Sequence, residues 1–256
     1  MTPVATQPNP VAVPLSEAAQ QHMARRDIWQ RKYAIRACYR GWFDRMKPFI
    51  VPGPSLEVGA GAGGFKDYWP ELILTDVVYT PLITVAADGM RLPVRDGSIS
   101  NLVVIDLLHH LQDPHLFFSE AERVLKPGGR VLAIEPYITP ASYVGYKLLH
   151  HEDVWFGGYH KSGDHKVDPW EGNLALPNLL FTREADQWQE RHPHLQIAHR
   201  RKFSLFDFQL AGGSKPYAFA GIRTLYDLFC AADRRIDWLG PLVAFRIFVV
   251  IERVER

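Results

Sequence analysis

The chain has 256 residues, 47% of them hydrophobic and 22% charged, the profile of one globular domain with a substantial core. A formal net charge of +1 gives no general attraction for nucleic acid, and Cys38 and Cys230, the only cysteines, offer neither metal-ligand spacing nor a disulfide framework, so a reducing cytoplasm is expected. No basic-then-apolar leader and no apolar run near the ~20 residues needed to span a bilayer are expected to act as signal or anchor.

Residues 1–15 carry Pro3, Pro8, Pro10 and Pro14 without apolar periodicity and are expected to form a disordered tail. Ser16 is a helix N-cap candidate, and Ile28, Ile35, Tyr39, Trp42, Phe43 and Met46 recur at helical spacing, predicting a helical cap over 16–48. Pro48, Pro52 and Pro54 end it. The cap carries Arg25, Arg26, Arg31, Lys32, Arg36, Arg40, Arg45 and Lys47 against Glu17, Asp27 and Asp44. Such a surface suits either a lid over a ligand site with a solvated basic rim or peripheral contact with an anionic membrane. No basic stripe elsewhere matches it, so nucleic acid is not an expected partner.

From 49 to the end the pattern alternates. Strands are predicted near 55–59, 71–76, 82–87, 101–106 and 130–135, then near 195–203 and in the final run Val243–Ile251, with helices between them. Short apolar strands separated by helices imply a parallel sheet covered on both faces. Ligands of such sheets bind beyond the carboxyl ends of the strands. Glu57, Asp76, Asp88, Asp106 and Glu135 all fall at predicted strand ends, which marks that edge as a site. Residues 137–180 are too long for a plain connection and read as a substrate lid, rich in His, Asp and aromatic side chains such as Tyr159 and His160. Its histidines lack H-x-x-x-H or H-E-x-x-H spacing, so no metal is expected there. Thr182–Arg191 reads as a capped helix and 220–234 as another.

The stretch Leu56-Glu57-Val58-Gly59-Ala60-Gly61-Ala62-Gly63-Gly64 leads an apolar strand into a glycine-rich turn. Glycine lets backbone approach a ligand and tolerates positive φ. Alone, the turn fits a nicotinamide or flavin oxidoreductase, a protein binding S-adenosylmethionine (SAM), or a turn without chemical consequence. Later blocks separate these readings. Ala86-Ala87-Asp88-Gly89-Met90-Arg91-Leu92-Pro93-Val94-Arg95-Asp96-Gly97-Ser98 is followed by Leu108-His109-His110-Leu111 and by Leu125-Lys126-Pro127-Gly128-Gly129. Over about 50–140 the chain resembles the class I SAM-dependent methyltransferases, in particular the ubiquinone/menaquinone C-methyltransferase-like subgroup. Ser100 departs from it, standing where that subgroup usually has Asp.

The resemblance implies a Rossmann-like α/β fold: a seven-stranded mixed sheet with its last strand antiparallel, helices on both faces, an N-terminal helical cap and a C-terminal substrate lid. SAM is the implied cofactor. Gly59, Gly61 and Gly63 would cradle its methionine part, Asp76 its ribose hydroxyls, and Asp88 with the Gly89 and Met90 backbone its adenine. Glu57 would orient the glycine amides or the ammonium group. Asp106 would hold the ammonium group or an acceptor hydroxyl, or instead cap a helix. His110 could serve as a base, although a structural role for His109 and His110 fits their occurrence across the subgroup. Tyr137 is expected to face the same cleft, and Tyr159 and His160 to touch the acceptor. The expected activity is methyl transfer to a small-molecule acceptor, such as a lipid-linked or cell-envelope metabolite, with a non-catalytic SAM-binding protein and, more distantly, an NAD(P)- or FAD-binding oxidoreductase as the alternatives.

Overall fold

The structure is a computed structural model, and it describes residues 15–150, 152–159, 171–205, 207–213 and 223–255. The tail expected over 1–14 and His160 lie outside the described residues.

All seven predicted strand segments are strands: β1 Ser55–Val58, β2 Ile73–Asp76, β3 Val85–Ala86, β4 Ile99–Ile105, β5 Leu125–Pro136, β6 Leu195–Phe203 and β7 Arg246–Arg253. They form one sheet in the order β3-β2-β1-β4-β5-β7-β6. Strands β1 to β5 run parallel, and β7 lies antiparallel between β5 and β6. The strand order reverses beside β1, and a crevice is expected beyond the carboxyl ends of β1 and β4 at such a switch point.

Side chains alternate across a strand, and the central strands send each set into a different apolar layer. Leu102 and Val104, Val131 and Ala133, and Ile247 and Val249 join one cluster with Phe117, Phe118 and Trp188. Val103 and Ile105, Leu132 and Ile134, and Phe248 and Val250 join the other with Ile35, Trp42, Phe43 and Phe65. Leu56 and Val58 of β1 point into the first layer. Alternation therefore turns Glu57 toward the second, beneath the N-terminal helices.

Those helices are α1 Glu17–Arg31 and α2 Tyr33–Met46. Ser16 caps α1 as expected, its Oγ accepting the Ala19 N–H at 3.2 Å. The single helical segment of the sequence is two helices because Lys32 turns extended (φ −98°, ψ 103°) and sends its ammonium to the Gly213 carbonyl at 2.8 Å. Two further helices follow in the chain, of which the second lines the cavity described below. In α3 Pro114–Val124 the Asp113 carboxylate accepts the His115 N–H, and α4 Pro140–Leu149 opens on a reciprocal Thr139–Ser142 cap.

The capped helix predicted for Thr182–Arg191 is instead a π-type turn over Leu179–Arg183 followed by a helix over Ala185–Arg191 without a side-chain cap. The Thr182 hydroxyl is occupied elsewhere, 3.0 Å from the Tyr137 hydroxyl.

The block from Leu92 to Ser98 owes its form to Arg123 of α3. Its guanidinium donates to the carbonyls of Leu92 and Val94 and to the carboxylates of Asp96 and Glu120. The Glu120 carboxylate in turn accepts the Leu92 N–H at 2.6 Å. That sequence block is thus a pinned loop.

Candidate cofactor and acceptor site

A cavity of about 800 Å³ opens at the carboxyl ends of β1, β2 and β4. Its roof comes from α1 and α2 through His22, Arg25, Ile28, Trp29, Ile35 and Tyr39. Its far wall comes from α4 and the following segment through Tyr146, His150, Glu152 and Leu174.

The glycine turn forms the floor. Gly59, Gly61 and Gly63 have φ of 72°, 51° and 62°, a left-handed conformation costing an L side chain roughly 1–2 kcal/mol per residue. Gly64 serves a different purpose. A Cβ there would lie 2.8 Å from the Trp29 ring, so glycine lets the cap close onto the turn. The closure is fastened at Asp67, which accepts from Arg26 at 2.8 Å and from the Trp29 indole at 2.7 Å.

Two acids meet at this floor. Asp76 accepts the Gly61 N–H at 2.8 Å and the Val78 N–H at 2.8 Å, one on each carboxylate oxygen. The His22 ring reaches down from α1 to 3.9 Å from it. Burial holds His22 below its ordinary pKa, against the pull of Asp76 and with the help of Arg25. Glu57 is 5% exposed, and its Oε2 has no hydrogen-bond partner among the described residues. Burial, seconded by the charge of Asp76, pushes its carboxyl up to about 8. A buried acid facing a cavity without a partner is costly, and a cationic or hydroxylated ligand would relieve it.

Asp88 is exposed at the rim and accepts the Met90 N–H at 2.9 Å. Gly89 is buried beside it, and a Cβ there would come 2.8 Å from Val58 Cγ1. Glycine at this position lets the rim backbone pack directly on β1.

Across the cavity Asp106 has φ +53°, strained for a non-glycine residue. Its carboxylate pairs with the guanidinium of Arg246, from the start of β7. Arg246 is 3% exposed and lies over the rings of Phe208 and Trp42 at 4.3 and 5.2 Å. Asp106 is thereby an ion-paired acid, and the short turn that follows has no side-chain cap.

Glu135 is fully buried and organises the next turn. One oxygen accepts the Leu107 and Leu108 N–H groups at 2.9 and 2.8 Å, and the other meets His109 Nδ1 at 2.7 Å. His109 Nε2 then lies 3.4 Å from Glu152, and His110 Nε2 lies 3.7 Å from the same carboxylate. Burial opposes charge on His109, but contacts with Glu135 and Glu152 push it up to about 10. Burial likewise opposes charge on Glu152, yet His109 and His110 hold it at about 2.

Residues 56–133, from β1 into β5, match the family described as "Methyltransferase domain". This segment is a methyltransferase domain. Over 50 residues the chain is 42% identical to a demethylmenaquinone methyltransferase of Streptomyces griseus, covering 20% of this chain and 22% of that one. Over 102 residues it is 26% identical to an uncharacterized protein of Methanocaldococcus jannaschii, covering 37% and 50%. The chain thus spans half or less of the curated relatives it matches. A SAM-dependent methyltransferase from Archaeoglobus fulgidus superposes with a TM-score of 0.50 at 15% identity, covering 85% of this chain and 94% of that chain, a likeness of fold.

Within the methyltransferase domain and its extensions, Glu57, Gly59, Gly61, Asp76, Asp88, Gly89, Met90, Asp106 and His110 come together on the cavity. Three expected site residues do not line it. Gly63 shapes the turn from outside, with its carbonyl accepting from Arg26 at 3.4 Å. Tyr137 is buried in the opposite apolar layer, where its hydroxyl meets Thr182 and Lys202 lies over its ring. Tyr159 packs against that same layer, its hydroxyl 2.6 Å from His115 Nε2 and 3.5 Å from Glu184. Both tyrosines satisfy their hydroxyls away from the cleft, so neither stands where an acceptor contact was expected.

Sequence reasoning missed His22, Trp29, Glu152 and Arg246, which reach the cavity from elements distant in the chain. It also read the basic cap as a surface. Several of its cations are also tied down within the fold: Arg26 on Asp67, Lys32 on Gly213, Arg36 on the Trp29 carbonyl, Arg40 over Tyr68 and Arg45 over Phe203.

Proposed function

We propose that the protein transfers the methyl group of SAM to a nucleophilic atom of a small, largely apolar acceptor. The observation that carries this reading is the pairing of Glu57, buried with one oxygen unpartnered, with a turn of left-handed glycines under a closed cap. Asp76 takes the ribose hydroxyls; each of its oxygens has a lone pair beyond the amide it already accepts. Asp88 takes the adenine amino group against the Gly89 and Met90 backbone, and Glu57 faces the ammonium group. Gly59 and Gly61 leave the close approach open.

When bound, SAM supplies a methyl group already activated on a sulfonium, so the chain contributes orientation and a dry cavity. Asp106, held by Arg246, presents a fixed carboxylate beside the reacting region. The apolar contributions of Ile28, Ile35, Leu174, Phe208 and Phe245 to the cavity favour an acceptor with a hydrocarbon or ring body, such as a lipid-linked metabolite. Arg25 and the exposed part of the cap would then face an anionic membrane from the cytoplasmic side. No helix among the described residues is long and apolar enough to cross a membrane.

The test is turnover with methyl-labelled SAM against separated polar and lipid extracts. Label entering a lipid-phase product sustains the reading, and label entering only polar products corrects the acceptor class. Tight SAM binding without turnover on either fraction would leave a binding protein in place of an enzyme.

A further inference from the structure

We propose that His109, His110 and Glu152 form a binding site for one divalent transition-metal ion, zinc or a close neighbour, on the far wall of the cavity. The three can each present one ligand atom within 4.8 Å of the others, and all three line the cavity. The spacing is wider than that of a plain ion pair. Glu152 Oε2 lies 3.4 Å from His109 Nε2, and Glu152 Oε1 lies 3.7 Å from His110 Nε2. A charge-assisted hydrogen bond draws such atoms to about 2.7–2.9 Å, as it does where His109 meets Glu135 at 2.7 Å. A tetrahedral ion with bonds of about 2.0–2.2 Å instead sets its ligand atoms about 3.3–3.6 Å apart.

The support behind His109 points the same way. Metal-bound imidazoles commonly donate their other ring nitrogen to a carboxylate, which fixes the ring and the tautomer. Glu135 does this at Nδ1 while its other oxygen is tied to two backbone amides. Nε2 is thereby left directed at Glu152. The two imidazole rings sit 4.1 Å apart, tilted by 38°, so both can address one point. Two imidazoles and one carboxylate suit zinc, iron, cobalt or nickel better than magnesium or calcium.

Three protein ligands leave coordination positions open toward the cavity. Asp106, His109 and Glu135 also present atoms within 4.8 Å of one another, so the ion would sit close to the carboxylate assigned to the reacting region. On the methyl-transfer reading proposed above, an open position would take an acceptor oxygen and lower its pKa. Metal binding itself does not depend on that reading.

The test titrates the full-length, chelator-stripped protein with Co²⁺. We expect visible ligand-field absorption saturating at one ion per chain and lost on adding Zn²⁺. Glu152→Gln and His110→Ala should each weaken Co²⁺ affinity 10-fold or more, with folding checked by circular dichroism. Absence of saturable Co²⁺ absorption overturns the proposal and leaves an ion pair. One-equivalent binding that survives the Glu152→Gln/His110→Ala double variant also overturns it. Calorimetry of the metal-free protein with S-adenosylhomocysteine separates the two readings. Heat with that ligand but no cobalt site defeats the metal alone; a cobalt site without that heat defeats the methyltransferase reading alone.

Discussion

The floor of the cavity and its far wall are built in opposite ways. The floor is local. Glu57 and the glycines lie within a few residues of one another, and Asp76 joins them from the neighbouring strand at a separation of 15 residues. The far wall is assembled over distance: Arg246 is 140 residues from Asp106, and Glu152 approaches His109 from beyond α4. Local construction relies on backbone conformations that glycine permits. Distant construction relies on charge pairs that are useful only when both partners arrive. The two halves should therefore fail differently.

The largest expected effect belongs to the far wall. Asp106→Ala leaves the Arg246 guanidinium buried without its carboxylate and puts alanine at a positive φ, so stability should fall by about 3–5 kcal/mol in urea denaturation. Arg246→Met should cost clearly less, because the orphaned Asp106 can turn to cavity water. Equal losses would mean that the ion pair does not organise this wall.

Next comes Glu57. Its carboxyl is raised in the folded state to about 8 from an ordinary 4.5. The stabilisation it lends below pH 4.5 is lost as pH rises toward 8. Glu57→Gln should thus gain on the parent between those limits, on the order of 4 kcal/mol by pH 8. A difference that does not change over that window would place the proton elsewhere.

Gly64→Ala should cost about 1–3 kcal/mol by crowding Trp29. It should also speed proteolysis within α1, since the cap is what must shift. The smallest effect is expected at Tyr159. Tyr159→Phe removes a hydrogen bond to His115 and should cost about 0.5–1.5 kcal/mol of stability while turnover stays within twofold. A large loss of turnover would return this tyrosine to the acceptor site.

The same contrast explains what the sequence disclosed. The central strands β1, β4 and β7 were legible because burial on both faces leaves near-continuous apolar runs. The floor was legible because its glycines and acids carry backbone requirements visible in a short window. The two-helix cap was not, since Lys32 breaks the helix in order to reach Gly213, a contact without local signal. Tyr137 and Tyr159 were misplaced for a related reason: a tyrosine beside a cleft can turn its hydroxyl to either face, and their partners Thr182 and His115 lie in other elements. Glu152 and Arg246 looked like ordinary charges until the fold gave them partners.

Calorimetry with S-adenosylhomocysteine, at pH 7 in buffers of different ionisation enthalpy, tests the central claim most directly. Saturable binding should release close to one proton as the ligand's ammonium group lowers the Glu57 pKa. Asp76→Ala should weaken that binding by about 1–3 kcal/mol, and NAD should give little heat. Tight NAD binding without heat from S-adenosylhomocysteine, or affinity unchanged in a folded Asp76→Ala variant, would contradict the account.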